Sequence, residues 1–593
     1  MNQSILKGAA PSLAALVLVA TVLRADDGNP TPPPAPAAPS EPAPLAPAPP
    51  IGSTTLNSPF GIGSDAHTGA TAETFAKWIP QMSAIGITVM RTPNTTWWAV
   101  EGDEEGKWNW DNVDAQMKYL EDHHMQFGAL LYGNPKWNTQ DKPNTLPVNN
   151  ISAWSTYVSE LVKHVNGRIK FFELWNEPPN GTGRDQTPAD YGKLAAATYD
   201  AAHGVDPTCL VGIEAKSVDV NYLDGAIQNG AKDKFDYIIL HPYESLGITM
   251  DNPGAEAIFM NIVPTLRKML AAQDPAKLNV PIWFTELGSD AKQGLNVPAC
   301  ALIKAYTMGI AQGVGCISWF EGMDGDSGPM GMLMANGTPR PAYTAMTQMI
   351  QRLGENPTYL GYVMLNDKDY GFVFQGPKST VMVAWALKGT TDTYDFGGPV
   401  TVVNPLNGLS GQFATYTLTP TPIMIDGVPD SLVKQAQANK TKPFPWGGDY
   451  TDAKSVSVTF GATNVEKGLH TQSAANIAAN VVLYGGAGRA GNVPGGNVYM
   501  VDPNFLTYTS TPIDITVVVR RDAKNDPARL ELEYESTTGY KKAEPYDVPQ
   551  SDEWQTQTWH IDDSQFVDMW GFNFRLNSGS YAIQSVTVTK TGQ

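Results

Sequence analysis

Eight short apolar runs alternate with amphipathic stretches over about 58–353, and this rhythm limits the fold more than any other feature. The runs are 60–63, 87–91, 126–132, 170–175, 209–213, 237–241, 282–286 and 316–320. Helical periodicity lies between them near 73–84, 111–123, 151–165, 188–203, 254–272 and 297–312, with a shorter candidate at 219–230. Strands separated by helices pair in parallel, because a parallel neighbour requires a long crossover. Eight such units close a (β/α)8 barrel. The rival is an open, doubly wound sheet, but no Gly-rich phosphate turn follows the first run.

Past about 355 the pattern changes. Runs at 359–373, 380–386, 400–403 and 414–424 are short, rich in β-branched residues and bounded by turns, with no long helix between them. They predict a small antiparallel β-domain over 355–438. A polar stretch at 434–442 reads as a connector. A second all-β block over 443–593 suits a lectin-like sandwich of the carbohydrate-binding type. The expected architecture is therefore α/β: a (β/α)8 TIM barrel over 58–354, then two all-β, sandwich-type domains.

The N-terminus reads as a signal peptide over 1–25, with Lys7, an apolar stretch at 9–22 and a cleavage site at Leu23-Arg24-Ala25. It predicts a secreted or periplasmic protein with no membrane span once the signal is removed. A linker over 26–57 follows, in which eleven of the 21 residues from 30 to 50 are proline, a composition that stays extended.

A net charge of −19 argues against nucleic acid, whose phosphates need clustered Lys and Arg. The three cysteines, Cys209, Cys300 and Cys316, are odd in number and give no disulfide framework. Buried free thiols are the plain reading. With no Cys-x-x-Cys and no His pair at ligand spacing, neither a metal nor an organic cofactor is expected.

Two of the runs end in glutamate: Trp175-Asn176-Glu177-Pro178 closes the fourth and Thr285-Glu286 the seventh. An unpaired buried carboxylate costs several kcal/mol, so two at strand ends suggest a pair built for acid/base work. Glycoside cleavage needs such a pair: one protonated carboxyl and one carboxylate. Barrel active sites lie at the C-terminal ends of the strands. Arg91 ends run two, His241-Pro242-Tyr243 ends run six and Trp319 ends run eight, so polar and aromatic groups gather on that same face. Glu173, two residues before the strand end, points to the same side as a buried partner.

These residues resemble clan A of the retaining glycoside hydrolases, with family 39 the nearest pattern and families 5 and 51 as alternatives. The 417–424 segment resembles the accessory domain of family 39-like members. The resemblance implies Glu177 as general acid/base, with a carboxyl pKa raised by burial and by Glu286, and Glu286 as nucleophile. It implies that Asn176 binds the sugar 2-hydroxyl and that Arg91 keeps Glu286 ionised. His241 and Tyr243 would orient Glu286 or substrate, and Trp319 would form the floor of the cleaved sugar's subsite. The partner is then a β-linked glycan, cleaved in an endo mode; exo action, transglycosylation and non-catalytic glycan binding are the alternatives.

Loops on the same face supply further candidates. Asp65 and His67 follow run one, and Trp97, Trp98, Trp108 and Trp110 follow run two. Asn134 and Trp137, in the loop after run three, rank highest for sugar contact. Asp324-Gly325-Asp326 resembles a calcium loop but lacks the closing glutamate and reads as a turn. In the last block Tyr499, Trp554, Trp570 and Tyr581 are candidate sugar platforms, with core packing the plainer reading.

Overall fold

The computed structural model describes residues 53–56, 58–64, 71–179, 186–472, 480–483, 486–523 and 525–591. The signal peptide, nearly all of the proline-rich linker, and Asp65 and His67 lie outside the described residues.

Eight parallel strands close into a barrel in chain order: β1 (Phe60–Gly63), β2 (Val89–Thr92), β3 (Gln126–Leu131), β4 (Phe171–Leu174), β5 (Leu210–Lys216), β6 (Tyr237–His241), β7 (Ile282–Leu287) and β8 (Cys316–Trp319). β8 returns to β1 with Gly61 opposite Ser318, where a Cβ on Gly61 would lie 2.7 Å from Ser318 Oγ. Only glycine lets the barrel close so tightly there. The outer helices bury the faces their periodicity predicts. Helix Ile151–Val165 covers Trp154, Tyr157, Val158, Leu161 and Val162. Helix Pro188–Val205 starts where Thr187 accepts the Asp190 N–H and Pro188 takes the first turn.

Most expected elements form, and three differ. β5 runs on to Lys216, beyond the apolar run that ended at Ile213. The expected helix over 254–272 is broken at Asn261 into Glu256–Met260 and Ile262–Gln273. The run at 359–373 is a hairpin of β9 (Thr358–Leu365) and β10 (Asp369–Gln375). It turns at Asn366 and Asp367, whose φ values of 50° and 61° suit a type I′ turn.

β9 and β10 belong to a six-stranded antiparallel sheet with β11 (Thr380–Trp385), β12 (Asp392–Val403), β13 (Ser410–Leu418) and β14 (Ile423–Asp426). One face of the sheet joins the barrel core through Phe372, Phe374, Val383 and Trp385. A buried ion pair is shared at this junction: Lys304 Nζ and Trp385 Nε1 each donate to Glu256 Oε1 at 2.9 Å. The other face, with Val363, Val373 and Met382, packs with Leu432 and Ala436 of helix Asp430–Asn439. The stretch that reads as a polar connector is thus largely a helix with a buried side.

The remaining residues form two larger antiparallel sheets and a two-stranded one around a core that includes Val458, Leu469, Val517, Leu532, Trp559 and Val586. The long strand Ile513–Arg521 pairs with both Gln555–Ile561 and Tyr581–Lys590. This block is anchored to the barrel. Asn221, 4% exposed, donates to Ser536 O at 2.9 Å and Gln565 O at 3.1 Å, and accepts from Gln565 Nε2 at 2.7 Å. Tyr508 Oη donates to Asp224 at 2.9 Å, and Asn261 donates to Thr507 at 3.0 Å. Tyr508, Val567 and Met569 join the barrel's own apolar cluster. All three cysteines are free and buried. Among the described residues, no helix is long and apolar enough to cross a membrane.

Cutting the chain after Asn439 would leave Asn221 and Asp224 without these partners and uncover the apolar groups that meet Val567 and Met569. Unpaired buried polar groups cost about 1–3 kcal/mol each. A chain ending at Asn439 is therefore expected to melt several degrees below the full chain by circular dichroism. An equal melting temperature would show that the barrel does not depend on the block.

Candidate active site

The strand ends meet around Arg91, the last but one residue of β2. The residue is 7% exposed, and its guanidinium donates in three directions: to Glu173 from Nε at 2.7 Å, to Asn176 Oδ1 from Nη2 at 2.7 Å, and to Glu286 Oε1 from Nη1. The rigid fork of arginine suits a site that holds several acceptors at fixed angles. Arg91 occupies the carbonyl oxygen of Asn176, which leaves the amide NH2 as the end able to donate.

The backbone of Trp175-Asn176-Glu177 is bent out of the strand. Trp175 has φ 71° and Glu177 φ 50°, left-handed values that cost roughly 1–3 kcal/mol each in a bulky residue. Hydrogen bonds fix this bend. Trp175 N donates to Leu131 O at 2.8 Å, Lys216 N to Pro178 O at 3.1 Å, and Glu177 N to Glu214 Oε1 at 2.7 Å.

Glu214 is the residue that the sequence reading missed. It lies on β5, fully buried, with Oε2 lacking a hydrogen-bond partner among the described residues. Strand alternation from Gly212 carries the signal, but an apolar run that stops at Ile213 hides it. Glu214 also stands 3.4 Å from His241 Nε2.

His241, likewise fully buried, links the two strand-end glutamates. Its Nδ1 is 3.2 Å from Glu177 Oε1 and 3.8 Å from Glu286 Oε2, while Nε2 is 3.0 Å from Thr285 Oγ1. Tyr243 donates to Glu286 Oε2 at 3.1 Å. An oxygen of Glu177, a ring nitrogen of His241 and an oxygen of Glu286 all lie within 4.8 Å of one another. Glu173, Glu214 and His241 form a second group of the same closeness. Both groups offer ligand atoms for a cation, but Arg91 already pairs with Glu173 and Glu286 there.

Charge in this cage sets the protonation states. For His241, burial works against the cation, but Glu214, Glu286 and the bond to Glu177 outweigh it and lift the ring to about 9. For Glu177, burial pushes the carboxyl up, but the bond and charge of His241, with Lys216 and Arg91, hold it below the usual range. This corrects the sequence expectation of a raised Glu177, which counted burial and Glu286 but not a donor 3.2 Å away. Glu214 is raised well above the carboxylate range, chiefly by burial. Burial, then Glu286 and Glu177, raise Tyr243 well above its ordinary value. Because His241 is raised from 6.5 to about 9, its contribution to stability is complete below about pH 6.5 and is lost as pH rises through about 9.

Three of the expected sugar-contact residues are held by neighbouring groups of the protein. Asn134 spends its amide on its own loop, with Nδ2 donating to Lys142 O and Thr145 O at 2.8 Å and Oδ1 accepting from Asn138 at 3.3 Å. These bonds brace the loop. Trp137 packs edge-on against Trp97 and donates to Glu101 O at 2.8 Å. Trp319 is 0% exposed, enclosed in the barrel core beside Ile62 and Leu287, so it offers no open ring face as a floor. Of the other loop tryptophans, Trp97 is buried and Trp108 stacks on Trp110, whereas Trp98 is 48% exposed above Gly133. Asp324 is gripped by both Nη atoms of Arg340 at 2.5 and 2.6 Å, which accounts for the calcium-like turn.

No family model matches the chain, and no curated protein matches it by sequence. Solved structures do match. The chain shares its fold with a family 39 glycoside hydrolase. That protein comes from the gut symbiont Bacteroides cellulosilyticus WH2, and the match has a TM-score of 0.53 and 18% identity over 63% of this chain and 81% of that one. A GH30 endoxylanase from Clostridium papyrosolvens C71 matches at 14% identity and a TM-score of 0.46, over 63% of this chain and 97% of that one. At these identities the likeness is one of fold.

Glu214→Gln tests the charge arrangement. Glutamine keeps an acceptor for the Glu177 N–H but can carry no negative charge beside His241 at any pH. The His241 ring should then titrate below its value of about 9, read by NMR of the ring protons. An unmoved titration would mean that Glu214 does not carry charge towards His241.

Proposed function

We propose that this chain is a retaining glycoside hydrolase of clan A, most like family 39, acting on a β-linked glycan by double displacement. The observation that carries the reading is the Glu177–Glu286 pair: their oxygens approach within 4.8 Å, with Arg91 on one and His241 on the other. Retaining enzymes hold their carboxyl groups about 5–5.5 Å apart, whereas inverting ones need roughly 6.5–9.5 Å for a water. The fold shared with a family 39 enzyme supports the family.

In this reading Glu286, held by Arg91 and Tyr243, attacks the anomeric carbon as the bond to the leaving oxygen breaks. Glu177 delivers a proton to that oxygen. A water, deprotonated by Glu177, then displaces Glu286 and restores the starting configuration. In the substrate-free site the proton rests on His241, which passes it to Glu177 across their 3.2 Å contact. Asn176, oriented by Arg91, donates to the sugar 2-hydroxyl. The signal-like N-terminus supports export to the periplasm or beyond, and the acidic net charge of −19 suits a neutral or cationic glycan better than a polyanionic one.

Purified β-glycans, with products followed by chromatography and anomer by NMR, test the activity. Glu286→Ala should abolish turnover of a 4-nitrophenyl glycoside by 10³-fold or more (an order-of-magnitude figure), and azide should restore it as the glycosyl azide of inverted configuration. Rescue with inversion in Glu177→Ala instead would exchange the two roles.

The proton's place sets the pH profile. If His241 holds the proton that Glu177 delivers, kcat/KM should fall as pH rises through about 9. In His241→Asn the limb should shift downward, towards the carboxyl's own titration, because burial then raises Glu177 without opposition from the imidazolium. An alkaline limb that stays in place in that variant would remove His241 from the proton path.

A further inference from the structure

We propose that Trp570 forms one wall of a sugar subsite on the Glu177 side of the cleft, so that the C-terminal sandwich completes the barrel's active site. The inference rests on the glycosidase reading and extends it to a binding residue contributed from nearly four hundred residues downstream.

The loop carrying Trp570 is built with unusual care. Glu535, fully buried, accepts the backbone N–H of Val567 at 2.9 Å, Asp568 at 3.2 Å and Met569 at 2.6 Å, and Asn573 Nδ2 at 3.0 Å. A buried carboxyl is costly unless its acceptor sites are used, and here they are spent on fixing one turn. That turn is docked on the catalytic face. Met569 O accepts from Ser217 Oγ and from Val218 N at 3.4 Å, directly after β5. On the other side Gly571 sits so close to helix Tyr243–Asp251 that a Cβ would lie 2.6 Å from Ile248. The turn is therefore wedged between the ends of β5 and β6.

Trp570 lies between these two anchors, partly exposed, with Lys216 Nζ 5.6 Å from its ring centroid. Lys216 pairs with His241 in the barrel register, and its N–H holds Pro178 O, one residue past Glu177. Its charge reaches Glu177. An indole with an ammonium over its ring suits a pyranose beside it: the sugar's C–H face packs on the aromatic surface that the lysine leaves uncovered, while its hydroxyls accept from the lysine. Tyr499 and Tyr581, by contrast, are wholly buried in the sandwich core.

The test compares wild type, Trp570→Leu and Trp570→Phe on β-1,4-linked hexaoses of glucose, mannose and xylose, and on the matching 4-nitrophenyl monoglycosides. Leucine preserves apolar packing without a flat face. Trp570→Leu should raise KM for the hexaose that is cleaved by about tenfold or more, a loss at least about tenfold larger than on the nitrophenyl glycoside. Trp570→Phe should recover most of it, with the melting temperature of both variants matching wild type. Equal losses on both substrates, equal losses in Leu and Phe, or no loss in either would overturn the inference while leaving the glycosidase reading intact. A wild type inert on every substrate would overturn that reading, and this inference with it.

Discussion

The arrangement depends on one cation inside the barrel. Arg91 has three acceptors, on β4, on the bend after β4, and on β7. Without it, Glu173 and Glu286 would lose the cation that pairs with both of them in a buried cage. An uncompensated buried charge is strongly destabilising, by about 3–5 kcal/mol when one partner of a buried pair is removed. The guanidinium thus makes it possible to place several acids on neighbouring strands, and it also sets the orientation of Asn176 and Glu286.

The second constraint is the bend at Trp175-Asn176-Glu177. Left-handed backbone at two large residues persists only because the surroundings fix it. β3 contributes one bond through Leu131 O, and β5 two, through Lys216 N and the Glu214 carboxyl. Glu214 therefore has a mechanical and an electrostatic part. It anchors the Glu177 N–H and, with Glu286, lifts His241 against the effect of burial.

The β-rich half of the chain is packed into this body. The six-stranded sheet shares the Glu256–Lys304 pair with the barrel, and the C-terminal sandwich reaches the catalytic face through Ser217, Asn221 and Asp224. The sandwich's hydrogen bonds join residues 284 to 352 positions apart.

Much of this was legible in the residues themselves. Strand–helix rhythm determines a closed parallel barrel, since each apolar run is long enough for one strand and each gap for one crossover. Strand-end carboxylates mark the site because burying charge without a purpose is costly. What required the tertiary structure was whatever depends on distance between segments far apart in sequence. β5 continues through Glu214 because the barrel interior can pair a charge that a local apolar pattern cannot foresee. Glu177 is held low because His241, from another strand, meets it. Trp319 is closed off and Asn134 is used up by neighbours that periodicity does not name. Trp570 reads locally as one aromatic among many in a β-block, and only the docking of that block brings it to the rim beside Lys216.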